Sequence, residues 1–212
     1  MTNPKIVANW KMNGSLSMVQ DWLYEFHAKV EEGKQVDSIF CPPVCYASFA
    51  KNIILENEID IYLGAQNLDF DANLSLTGGV NATMLKDVGC NFIILGHSER
   101  RTYFLEDDSV LLQKLNSAVD QNLRIIFCIG ETEEEKNLGI SKEIIRQQLL
   151  VLKEIPFDQL LLAYEPLWAI GTGRTPNPKY IQEMHETIKD GLKSLNESEK
   201  DSPVLYGGSV DE

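Results

Sequence analysis

The chain has 212 residues, 43% of them hydrophobic and 24% charged, with a formal net charge of −13, which bounds it as one globular domain able to bury a single core. That acidity argues against a nucleic-acid partner, because most of the surface would repel a phosphate backbone. No run approaches the roughly 18 to 20 consecutive apolar residues of a membrane helix, and the opening residues lack the apolar stretch of a secretory signal, so the expectation is a cytoplasmic protein with no membrane partner. Cys41, Cys45, Cys90 and Cys128 form no C-x-x-C pair, which fits reduced thiols better than a disulfide framework or a metal site.

In chain order, seven short apolar runs read as buried strands: Ile6–Asn9, Ser38–Cys41, Ile61–Ala65, Phe92–Leu95, Ile125–Ile129, Leu160–Tyr164 and Val204–Tyr206. The segment after the first has a capping-box pattern, Ser17 followed by Gln20, and Val19, Leu23, Phe26 and Val30 recur at helical spacing. The segments Ser109–Asn122, Ser141–Glu154 and Pro178–Leu195 repeat that logic, with Leu112, Leu115 and Val119 as the apolar stripe of the first of these. The charged stretch Glu131–Lys136 reads as a solvated loop and helix start. Strand, crossover, strand is the rhythm of βα units in a parallel sheet.

Periodicity leaves two architectures open, a doubly wound open sheet and a (β/α)₈ barrel. Nearly every strand run ends in a polar or Gly-rich group, among them Asn9-Trp10-Lys11, Gln66-Asn67, Gly96-His97-Ser98, Gly130-Glu131, Glu165-Pro166 and Gly207-Gly208-Ser209. A barrel gathers all its strand C-termini around one mouth, whereas an open sheet binds at one switch point, so the pattern favours a barrel.

Three of those groups carry chemistry. Glu165 leaves an apolar run and precedes Pro166; a partly desolvated carboxylate there is suited to act as a general base. The following Pro-Leu-Trp-Ala-Ile-Gly-Thr-Gly places an apolar centre between Pro and Gly ends, as expected of a lid moving about two hinges. His97 precedes Ser98, which could cap a helix whose N-terminus disfavours a positive imidazole. Lys11 and Asn9 can share the mouth and face an anionic oxygen.

Taken together, N-W-K-M-N from Asn9, A-Q-N from Ala65, T-G-G from Thr77, G-H-S-E-R-R from Gly96, C-I-G-E from Cys128, Y-E-P-L-W-A-I-G-T-G from Tyr164 and Y-G-G-S-V from Tyr206 resemble the triosephosphate isomerase family in order and spacing. The resemblance implies a TIM barrel that interconverts D-glyceraldehyde 3-phosphate and dihydroxyacetone phosphate through an enediolate, a step of glycolysis and gluconeogenesis. It implies Glu165 as base and His97 as neutral electrophile, a pairing for which this family is itself the standard worked case. Lys11 would offset developing charge, Asn9 would orient the substrate, and Glu99 would stand behind the Lys and His. The backbone N–H groups of Gly171 and Ser209 would bind phosphate, with no metal or organic cofactor. The loop Asp71 to Gly79 would dock into the partner of a homodimer and bring Thr77 near the neighbouring site.

Two features depart from the family pattern. Gly79 stands where the family usually has Glu, removing a carboxylate expected to pair across the interface with an arginine such as Arg100. Roughly one βα unit of an eight-unit barrel is also not found after Y-G-G-S-V, so the expectation is a C-terminally incomplete single barrel domain, with a catalytically impaired truncated isomerase as the alternative. A pentose-phosphate epimerase barrel would need metal-binding clusters, and His27, His97 and His185 lack ligand spacing.

Overall fold

The seven apolar runs pair side by side in a computed structural model that describes residues 3–30, 36–69, 75–170, 173–195 and 203–208. The strands are β1 Lys5–Asn9, β2 Asp37–Cys41, β3 Tyr62–Ala65, β4 Phe92–Leu95, β5 Arg124–Ile129, β6 Leu160–Tyr164 and β7 Val204–Tyr206. All are parallel and lie in sequence order, giving a nearly closed barrel. The helices are α1 Leu16–Lys29, α2 Ala47–Glu56, α3 Ala82–Asp87, α4 Ser98–Tyr103, α5 Asp108–Asp120, α6 Glu133–Asn137, α7 Ser141–Leu149 and α8 Pro178–Leu195.

Strand periodicity of two explains why the runs are apolar throughout. On β5, Ile125 and Phe127 pack with the helices while Ile126 and Cys128 point into the barrel. The interior holds Ile39, Cys41, Phe92, Ile94, Ile126, Cys128, Leu161 and Ala163, and the outer layer joins α1, α2, α5, α7 and α8 to the strands through residues such as Leu23, Ile53, Leu115, Ile145 and Ile188.

Three local expectations change. The cap of α1 is Ser15, whose hydroxyl accepts from the Met18 N–H, while Ser17 bonds to the Ser15 hydroxyl; the serine two residues earlier is the one that reaches the free N–H. Along α5 the inward face is Leu111, Lys114, Leu115 and Ala118, with Leu112 39% exposed. Lys114 is tolerated inside because its ammonium reaches Glu106 Oε1 at 2.6 Å and Asn67 Oδ1 at 2.7 Å. Burial is the main cause lowering the Lys114 pKa, opposed by Glu106. Arg100 also donates to Glu106, at 2.6 Å, so the arginine considered for a cross-subunit pair is bound within its own chain.

On α8, His185 stands edge-on to the Tyr164 ring with centroids 6.0 Å apart, and its buried Nε2 has no hydrogen-bond partner among the described residues. Burial first, then Lys189, lowers its pKa. The unfolded chain therefore binds a proton there more readily than the folded one, so stability is full above the free-histidine pKa of about 6.5 and falls as the pH drops through it. The melting temperature should decline more steeply from about pH 7.5 to 5.5 in this chain than in His185→Leu, the range being that of histidine titration. Equal slopes would show that His185 titrates alike in both states.

Candidate active site

The strand C-termini surround a cavity of about 520 Å³ lined by Asn9, Lys11, His97, Cys128, Glu165, Ile170, Gly207 and Gly208 at the mouth. It continues down the barrel between β1 and β7, where Val7 and Leu205 form its walls.

Lys11 lies in the left-handed backbone region, φ 52°, which costs a non-glycine residue roughly 1–2 kcal/mol. Two side chains hold it there. Asn9 Oδ1 accepts from the Lys11 N–H at 3.0 Å, and Gln66 donates from Nε2 to the carbonyls of Lys11 and Cys41 at 3.0 and 2.9 Å. The Lys11 ammonium reaches Glu99 Oε1 at 2.8 Å.

His97 is itself the cap of α4, correcting the expectation for Ser98: its Nδ1 accepts from the Glu99 N–H at 3.2 Å. A nitrogen that accepts carries no proton, so the ring in this geometry is the neutral Nε2–H tautomer. The Glu99 Oε2 that lies 3.5 Å from Nδ1 then faces a second acceptor and makes no hydrogen bond to it. Nε2 points to Glu165 Oε1 at 3.4 Å, and the Ser98 N–H approaches Glu165 Oε2 at 3.4 Å. Both contacts are long, so little is lost when the carboxylate turns to another partner.

Glu165 is 6% exposed and is set by close backbone approach. A Cβ on Gly130 would lie 1.8 Å from the Glu165 carbonyl oxygen, and one on Gly207 2.9 Å from Glu165 Cγ; only glycines leave that space. Beneath it sits the Cys128 thiol, held protonated first by burial and then by the charge of, and hydrogen bond to, Glu165.

Beyond Pro166, Trp168 is buried against a residue that the sequence reading left in solvent. Glu131 has no exposed surface. Its carboxylate accepts from Tyr164 Oη at 3.0 Å, Trp168 Nε1 at 2.8 Å and Tyr180 Oη at 2.9 Å, and the Lys136 ammonium lies 3.3 Å from the Trp168 ring centroid. Burial and the Glu131 charge raise the Tyr164 pKa, keeping it a donor. Arg174 adds a 2.7 Å bond to Glu133, so the segment after Glu165 rests on α6. Glu131 follows β5 as Glu165 follows β6, and that position was the available clue to its burial. Gln66 had the same clue but no signal for its role.

The structure thus brings together Asn9, Lys11, His97, Glu99 and Glu165. Thr77 is exposed near a turn in which the Gly79 N–H donates to Leu76 O, with the loop neck closed by Asp69 bonding Val80 in both directions. Gly171 and Ser209 lie outside the described residues.

A parallel barrel whose strand ends present a buried carboxylate, a neutral imidazole and an ammonium to one cavity belongs to the class of barrel enzymes equipped for proton transfer beside an anion. The sequence pattern of the family described as triosephosphate isomerase matches residues 4–212, and the chain belongs to that family. It is 39% identical over 211 residues to the triosephosphate isomerase of Hydrogenovibrio crunogenus, covering 97% of this chain and 83% of the relative. The triosephosphate isomerases of Nitrosococcus oceani and Salmonella paratyphi B are each 37% identical over 215 residues, covering 99% of this chain and 85% and 84% of theirs.

Proposed function

We propose that this chain interconverts D-glyceraldehyde 3-phosphate and dihydroxyacetone phosphate by proton transfer between adjacent carbons. The observation that carries the mechanism is the approach of Glu165 Oε1 to His97 Nε2 at 3.4 Å across the cavity. A substrate that replaces this contact meets a base in Glu165 and an N–H donor in His97.

Glu165 removes the proton from the carbon next to the carbonyl, and the N–H of His97 polarises the carbonyl oxygen as charge develops. The Lys11 ammonium, held by Glu99, offsets the negative charge of enediolate and phosphate. Backbone N–H groups of Gly171 and Ser209 take the phosphate, and closure of the segment after Pro166 keeps water from the enediolate. The residues call for no cofactor in this scheme. The expected eighth βα unit would fit between β1 and β7, which stand at the two ends of the strand order and are not paired to each other among the described residues.

A homodimer is part of the same reading, with the loop through Thr77 as the docking element and the cytoplasm as the location. The test is turnover of glyceraldehyde 3-phosphate by the purified chain in deuterated water, with sedimentation run alongside. Solvent deuterium should enter the product at the carbon that receives the proton, and the sedimenting species should be twice the chain mass. Turnover without solvent exchange would discard the carboxylate-mediated route, and a monomer at full activity would discard the dimer.

A further inference from the structure

The second arginine of the sequence Gly96-His97-Ser98-Glu99-Arg100-Arg101 does not line the substrate cavity, yet it grips the turn that presents the imidazole. Gly96 links β4 to His97 with φ +71°, a conformation that leaves the orientation of the next peptide to be fixed by its neighbours. Arg101 supplies that fixing from both sides of His97. Its Nε donates to the Gly96 carbonyl at 2.9 Å, and its backbone N–H donates to the His97 carbonyl at 3.1 Å.

The guanidinium has two further, weaker contacts. It lies 5.6 Å from the Phe127 ring centroid and reaches Asp108 Oδ1 from Nη1 at 3.4 Å. The Gly96 backbone leaves room for it, since a Cβ there would lie 3.1 Å from Arg101 Nη2. The Nη2 atom is buried and without a partner among the described residues, and Arg101 lines a second cavity of about 190 Å³ together with Ser98, Glu165 and Leu167. A planar fork can hold one carbonyl while stacking on a ring; a lysine ammonium at the end of a flexible stem cannot reproduce both.

We infer that Arg101 is a positioning residue for His97: it touches neither substrate nor reacting atoms, and it fixes the Gly96–His97 peptide so that Nε2–H is aimed at the carbonyl oxygen. The inference rests on the proposed role of His97. Loss of the fork lets the ring drift, and a displacement of about 1 Å at a reacting group costs on the order of 10²-fold.

The test uses Arg101→Lys and Arg101→Ala, each checked for cooperative melting, with kcat and KM measured separately and ¹⁵N spectra of the His97 ring recorded. Both variants should lose about tenfold or more in kcat with KM within about twofold, as expected when an interaction made in the transition state is removed. Guanidinium ion at non-denaturing concentration should restore part of the Arg101→Ala turnover, and the His97 Nε2–H resonance should shift and broaden. Folded variants with parental kcat and an unchanged His97 spectrum would overturn the inference, as would a kcat loss that follows only the folded fraction and ignores guanidinium. If the parent chain itself failed to isomerise the triose phosphate, the functional reading would fall, while the His97 spectra would still decide whether Arg101 sets the ring.

Discussion

Glu165→Gln is expected to lower kcat by roughly 10²- to 10⁴-fold, the usual contribution of a positioned general base, with little change in KM or melting temperature. The amide keeps the size of the carboxylate and can still accept from the Ser98 N–H, which now lies 3.4 Å from Oε2. The space left by Gly130 and Gly207 is unchanged, so the backbone need not move. What is lost is the capacity to take a proton. Glu165→Asp is a complementary probe, because it keeps the base and withdraws it by one methylene from a site where geometry is tight; its kcat should fall between the parent and Gln values. Steady-state assays in both directions check this. Retention of kcat within a factor of ten by the Gln variant would move the base elsewhere.

The second large effect is expected at Glu131, and it is one of stability. Glu131→Leu would remove the acceptor shared by Tyr164 Oη, Trp168 Nε1 and Tyr180 Oη. Tyr180 keeps a bond to Ser141 Oγ at 3.1 Å and the Tyr164 hydroxyl also bonds to that of Tyr180, so the main loss is the 2.8 Å acceptor of the Trp168 indole N–H. At roughly 1–3 kcal/mol for a buried donor that loses its acceptor, the loss is about 1–3 kcal/mol. For a chain of this size 1 kcal/mol corresponds to roughly 2–4 °C, so the melting temperature should fall by several degrees. Trp168 would also lose its tie to the end of β5, and its fluorescence should report a more solvated indole. Glu131→Gln separates acceptor from charge: it retains one acceptor oxygen but introduces N–H donors facing other donors, and it should be destabilised less than Leu. A Leu variant melting with the parent would show that the three donors find other partners.

Sequence and structure agree most closely where chemistry is local. The strand runs were legible because a strand buried on both faces has to be apolar along its length, and β4, β6 and β7 begin and end where their apolar runs do. Helix α8 was legible from its periodicity and its Pro178 start. Lys11, His97 and Glu165 were legible as polar groups at strand ends because a barrel has only one mouth for such groups to share.

What only the tertiary structure decided is the surroundings of each group, since burial depends on residues distant in sequence. Glu131 looks like the start of a solvated charge run until Trp168 and Tyr180 close over it; Lys114 looks like a surface lysine until Glu106 and Asn67 meet it. The serine that caps α1 was misread by two positions because two serines offer nearly the same pattern, and the free N–H of Met18 selects Ser15. The exchange of charged and apolar positions on α5, the grip of Gln66 on Lys11 and the hold of Arg101 on the Gly96 carbonyl are likewise geometric. By itself the sequence determined the seven buried strands, the family and the polar groups at the strand ends, because those depend on periodicity and motif; it favoured the barrel over an open sheet without deciding it. The partners that orient these residues depend on which segments fold against one another, and that was decided only when the parallel strands came into register.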